Sequence, residues 1–146
     1  MITIKDFLTA DHGRCDEYFA DMEAKATESL SNAKEACEAF IHETEKHFQM
    51  EERVVFEEFE TKTGMTQGPT AMMRHEHTQM RGLMAQMLEA IAADNKDKFF
   101  GTTETFMILQ QQHNMKEEQM LYPMVQQHLE AESERIVEMI DSLVVE

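Results

Sequence analysis

Three short breaks divide most of this chain into four long stretches, and in each stretch the apolar residues return every three or four positions. The breaks fall at 29–32, 63–68 and 94–97, where Ser, Asn, Gly, Thr and Asp gather. The first stretch, from about Ile4 to Glu28, carries Leu8, His12, Cys15, Phe19 and Met22 on one face. The second, over about 31–62, carries Ala33, Cys37, Phe40, Thr44, His47, Glu51 and Val54. Pro69 opens the third, with Met73, His77, Met80, Met84, Met87 and Ile91; the fourth shows Phe99, Thr103, Phe106, Gln110, His113, Glu117, Met120 and Met124. This rhythm is that of amphipathic helices. Short connections between long helices make antiparallel neighbours, so the chain is expected to be all-α, an up-down-up-down four-helix bundle. The bundle should span about 4–128 of a single domain, 1–146, with Ile136, Ile140 and Leu143 marking a short C-terminal helix at about 131–144. Thr3 and Asp6 stand in capping-box-like spacing, and Pro123 predicts a kink or an end near Tyr122.

Polar residues interrupt these stripes at one level. In an antiparallel hairpin, residues equidistant from the loop centre lie at the same height. The pairs His12/His47, Glu51/His77 and His77/His113 are centred at positions 29.5, 64 and 95, each inside a break. Four histidines therefore meet at one height in the core together with Glu51 and Glu117. Spacing alone would not establish this. Acids stand four residues after His12, His47, His113 and His128, and composition by itself would give about one or two such pairs. Position on the apolar stripes decides it, because burying these groups unpaired would cost several kcal/mol each. A bound metal cluster accounts for them with His12, His47, Glu51, His77, His113 and Glu117 as ligands. Six converging N/O donors suit two iron or manganese ions better than tetrahedral zinc.

The sequence resembles the hemerythrin-like (HHE cation-binding) domain over roughly residues 8 to 129. The resemblance rests on Asp11-His12, on His47 followed by Glu51-Glu52, on Glu76-His77, and on His113 followed by Glu117-Glu118 and Leu-Tyr-Pro. It implies an oxo- or hydroxo-bridged pair of iron ions, with Glu51 and Glu117, or Glu118 in place of Glu117, as bridging carboxylates. Glu117 repeats the i,i+4 geometry of His47/Glu51, whereas Glu118 takes the position of the Asp in the oxygen carriers. Those carriers have His-x3-His on the third helix; here Met73 stands four residues before His77, and His75 faces another way. The ferritin-like pattern needs Glu-x-x-His, which no histidine here satisfies.

The remaining polar residues are assigned plainer roles. His42, His75 and His128 lie off the stripes and are read as solvated. Cys15 and Cys37 differ by about 10 Å in expected height, too far for a disulfide, and suit a reducing cytoplasm. A net charge of −16 argues against nucleic acid and anionic membranes as partners. No apolar stretch is long enough to span a bilayer. Walls of Met and Phe around an open coordination position suit a small ligand such as O2, NO or peroxide. Storage or sensing of a gas is the leading expectation. An NO reductase, a peroxidase, an iron-centre repair protein and an iron-responsive interaction protein are the alternatives.

Overall fold

The computed structural model describes residues 2–146, and among these it is helical almost throughout, with no strand. The elements are α1 (Ile4–Glu28), α2 (Lys34–Met50), α3 (Phe56–Thr63), α4 (Pro69–Ala92), α5 (Lys96–Lys116), α6 (Tyr122–His128) and α7 (Ser133–Asp141). α2 and α3 form one long bundle helix, as do α5 and α6, so the bundle has four members and α7 is the short C-terminal helix. The ends follow from local chemistry. Thr3 Oγ1 accepts the Asp6 N–H at 3.0 Å, and Asn95 Oδ1 accepts that of Lys98 at 3.0 Å. Gly64 ends α3 at φ 76°, a left-handed conformation that costs glycine little.

Both long composite helices are interrupted by a π turn, at Glu51–Val55 and at Glu117–Leu121. There the Phe56 N–H bonds to the Glu51 carbonyl and the Tyr122 N–H to the Glu117 carbonyl. The expected kink at Pro123 is replaced by this wider turn, and the helix continues to His128. Proline is not the cause common to both, since Glu57 stands where Pro123 does in the other helix. The π turn changes what faces the core. Five residues along an α-helix lie about 140° apart, but one wide turn returns residue i+5 to the face of residue i. Phe56 and Tyr122 therefore point the same way as Glu51 and Glu117.

Two apolar clusters bracket the level of the histidines. One, near the 29–32 and 94–97 loops, is built on Phe19, Met22, Phe40, Met84, Phe99 and Phe106. The other contains Leu8, Val55, Phe56, Met73 and Tyr122, and α7 seals it with the fully buried Ile136 and Ile140. Burying a side chain of this size contributes roughly 1.5–3 kcal/mol, so the bundle can hold a polar layer between two dry ones. No helix among the described residues is long and apolar enough to cross a membrane.

Candidate metal centre

The bundle brings His12 from α1, His47 from α2, His77 from α4 and His113 from α5 to one level, with Glu51 and Glu117 opening the two π turns. All six are buried, and Glu51, His77 and Glu117 have no exposed surface. Their ligand-type atoms fall into two overlapping quartets, each within 4.8 Å: His12, His47, Glu51 and Glu117, and His77, His113, Glu51 and Glu117. The carboxylates divide their oxygens between the quartets. Glu51 Oε2 faces His47 Nε2 at 3.5 Å, and Oε1 faces His77 Nε2 at 3.0 Å. Glu117 Oε1 faces His12 Nε2 at 3.0 Å, and Oε2 faces His113 Nε2 at 3.3 Å. Each quartet could hold one cation, with both carboxylates shared between them.

A second layer fixes the imidazoles. Nδ1 of His12 meets Glu118 at 2.6 Å, that of His47 meets Asp11 at 2.8 Å, that of His77 meets Glu52 at 2.6 Å, and that of His113 meets Glu76 at 2.8 Å. Nδ1–H donation to a carboxylate turns each Nε2 lone pair into the centre. In every case the acid is the chain neighbour of another candidate ligand: Asp11 of His12, Glu52 of Glu51, Glu76 of His77, Glu118 of Glu117. Glu117 faces the quartets, and Glu118 stands behind His12. Three of the four outer carboxylates carry a cation in turn: Asp11 with Arg14, Glu52 with Arg81, Glu76 with Lys116.

Charge follows this layout. Burial pulls the His47, His77 and His113 imidazoles down, but the carboxylates of Glu51, Glu117 and the outer layer outweigh it. His47 is held well above its ordinary value, His77 above it, and His113 at about 9. Burial likewise pushes Glu51 up, and His47, together with Glu117 and His77, more than reverses that, leaving it well below the carboxylate range. Asp11, between His47 and Arg14, is lowered to about 2 despite its burial. Without a cation, protons partly take the place that a cation would fill.

Sequence reasoning missed Tyr122. Its hydroxyl sits inside the first quartet, donating to Glu51 Oε2 at 2.6 Å, with Glu117 Oε1 at 3.0 Å and the Nε2 atoms of His12 and His47 at 3.1 and 3.4 Å. Burial and the two carboxylates hold this phenol well above its usual range, so it is a donor. The available signal was the tyrosine of Leu-Tyr-Pro, five residues after Glu117. Only a π turn makes that spacing point inwards. The second quartet has no such donor. Glu51 Oε1, His77 Nε2, His113 Nε2 and Glu117 Oε2 are buried without an aligned hydrogen-bond partner, and face only one another. Leaving such an atom unsatisfied costs about 1–3 kcal/mol. Apart from protons carried by the imidazoles themselves, four Nε2 atoms and four carboxylate oxygens converge on a single hydroxyl donor, and this ligand set fits cations.

His42, His75 and His128 are exposed and take no part. Cys15 and Cys37 are buried free thiols, and burial pushes both up, Cys37 to about 12. A groove of about 750 Å³ runs between α1 and α5, bordered by Gly13, Asp16, Phe19, Asn114 and Glu118, with His12 at its floor.

The family model for the hemerythrin HHE cation binding domain matches residues 3–125, most of the chain. Comparisons with curated proteins and with solved structures returned no match.

Proposed function

The chain belongs to the hemerythrin HHE cation-binding family, and from that premise we propose that it is a non-haem di-iron protein binding a small gas, O2 or NO, in its core. His12, His47, Glu51 and Glu117 would hold one ion, and His77, His113 and the other oxygens of Glu51 and Glu117 would hold the second. The observation that carries this reading is the convergence of four buried imidazoles on two buried carboxylates whose oxygens are divided between the quartets. A set of imidazole and carboxylate ligands of this kind suits iron or manganese better than zinc, which takes about four ligands. When bound, the metal pair supplies electrons and open positions to a ligand small enough to enter. This chain's own residues do the rest. Nδ1 bonds to the outer carboxylates hold the rings still, and the two apolar clusters keep the centre dry above and below. The groove ending at His12 admits a small neutral molecule, and its acidic rim of Asp16, Glu23 and Glu118 disfavours anions.

A second reading, turnover of NO or peroxide at the same centre, is favoured by this opening, since a storage site gains nothing from an approach of that size. Anaerobic reconstitution with ferrous iron, followed by optical spectra on adding O2 and then NO, tests both. Reversible spectral change with O2 supports storage or sensing, and consumption of NO under reductant supports the enzyme. Failure to retain iron would sink the proposal.

A further inference from the structure

The two halves of the centre are built to one plan, and three of the places where they differ bear on access and hydrogen bonding. α1 with the first composite helix corresponds to α4 with the second, so that His12 matches His77 and His47-Glu51 matches His113-Glu117. Phe56 matches Tyr122 as the fifth residue after the glutamate. Phe48, the residue after His47, matches Asn114, the residue after His113. Arg81, four residues after His77, matches Asp16, four after His12.

Two of the differences cover the His77 side and leave the His12 side open, while the third puts a hydroxyl into the His12 half, where Tyr122 stacks on His12 at 5.5 Å. His77 lies between two aromatic rings, Phe48 at 4.0 Å and 17° and Phe56 at 6.0 Å and 14°. Its outer carboxylate, Glu52, accepts two bonds from Arg81 at 3.0 Å each. On the His12 side, Asn114 borders the groove where Phe48 covers His77. Asp16, where Arg81 would stand, lines the groove with Glu118, and among the described residues Glu118 has no Lys or Arg partner. Inside, the Tyr122 hydroxyl occupies the His12/His47 quartet, while the four ligand atoms of the His77/His113 quartet have no aligned hydrogen-bond partner.

We infer that the two metal positions are unequal: the His77/His113 position fills first and retains its ion, and the His12/His47 position, where Tyr122 must give way, fills second and exchanges through the groove. The inference rests on the two-ion reading above. An ion entering the first-filling position meets four ligand atoms without an aligned hydrogen-bond partner and has no hydroxyl to displace. An ion entering the other must displace the Tyr122 hydroxyl from Glu51 and Glu117. Giving up a hydrogen bond to a charged group weakens binding on the order of ten- to a hundredfold.

Calorimetric and optical titration of the metal-free chain with Co²⁺ tests this. Two steps of one equivalent are expected, separated by about tenfold or more. Tyr122→Phe, which copies Phe56, should draw the weak step towards the strong one. Phe56→Tyr should weaken the strong step, and neither change is large enough to threaten the fold. His77→Ala should lose the strong step and His12→Ala the weak one. Two indistinguishable equivalents in the unaltered chain, or titrations that Tyr122→Phe leaves unmoved, would overturn the inference alone. No binding in any of these proteins would overturn the two-ion reading itself. A single equivalent lost in His77→Ala but kept in His12→Ala would uphold the order of filling and deny the second ion.

Discussion

Glu118 and His12 meet at 2.6 Å through Nδ1, on the opposite edge of the ring from Glu117, whose Oε1 lies 3.0 Å from Nε2. Two consecutive glutamates thus serve one imidazole from both sides. Removing the charge from each should have different consequences. Glu118→Gln should weaken metal binding at the His12/His47 position by about ten- to a hundredfold and leave the other position alone. Glu117→Gln should weaken both positions, because its two oxygens face different quartets. Metal content after dialysis against a graded chelator series reads the difference; a Glu118→Gln protein that loses both ions would contradict it.

Among the histidines, burial separates the four candidate ligands from His42, His75 and His128. His47→Ala or Glu51→Ala should lose at least one ion per chain, whereas His42→Ala, His75→Ala and His128→Ala should keep both. Elemental analysis of the purified variants decides this. If His75→Ala lost metal and His77→Ala did not, the register of α4 would be wrong.

Stability should depend on pH in opposite ways with and without metal. In the metal-free chain His47, His77 and His113 are raised, the last to about 9. A raised histidine stabilises the fold fully below its unfolded value of about 6.5 and loses that contribution as pH climbs through the folded value. Glu51 is lowered, so its contribution is present above the ordinary carboxylate range and is lost as pH falls. The metal-free bundle should therefore be most stable at roughly pH 5 to 7 and weaken towards pH 9. Bound metal replaces those protons, so the loaded protein should keep its stability through pH 9 and release metal in acid before it unfolds. Urea midpoints across this range, with and without metal, provide the test; equal alkaline slopes would refute the linkage.

Much of this layout was legible in the chain because it depends on periodicity and loop position. The stripes place one histidine on each of α1, α2, α4 and α5, and the three breaks bring them level. Thr3 and Asp6 mark the start of α1 as expected. The π turns were not legible. Up to Glu51 and Glu117 the spacing is that of an ordinary helix, and the wider turn leaves only a one-residue slip, seen at Val54-Val55-Phe56 and Leu121-Tyr122. Tyr122 was missed for that reason. The outer carboxylates were visible as acids beside each ligand. Their roles were not, because Glu118 reaches His12 across 106 positions of sequence.

Pro123 offers a check on what makes the π turn. Since Glu51–Val55 adopts the same turn without proline, Pro123→Ala should leave Glu117–Leu121 in its π form and keep the Tyr122 hydroxyl on Glu51. The metal content should be unchanged, with stability altered by about 1 kcal/mol or less. Hydrogen exchange at Tyr122 N–H, which bonds to the Glu117 carbonyl, should stay slow. A variant that keeps its fold but exchanges quickly there would make proline the cause.

The third helix carries the last prediction. Oxygen-carrying relatives place a histidine four residues before the one matching His77, and this chain has Met73 there. Met73 is 2% exposed and belongs to the apolar cluster that includes Phe56 and Tyr122. It lies on the α4 stripe one turn from His77, on the half that has no hydroxyl donor. Met73→His should therefore add a third imidazole to the His77/His113 position. Binding of the first ion should tighten, and the position left for an outside ligand there should close. Reversible O2 binding should then become longer-lived and slower to oxidise, because only the His12 side, shared with Tyr122, would still admit the gas. The check is the decay of the oxygenated spectrum in Met73→His against the unaltered chain. A faster decay, or an unaltered chain that already holds O2 for hours, would show that the third imidazole is not what the carriers rely on.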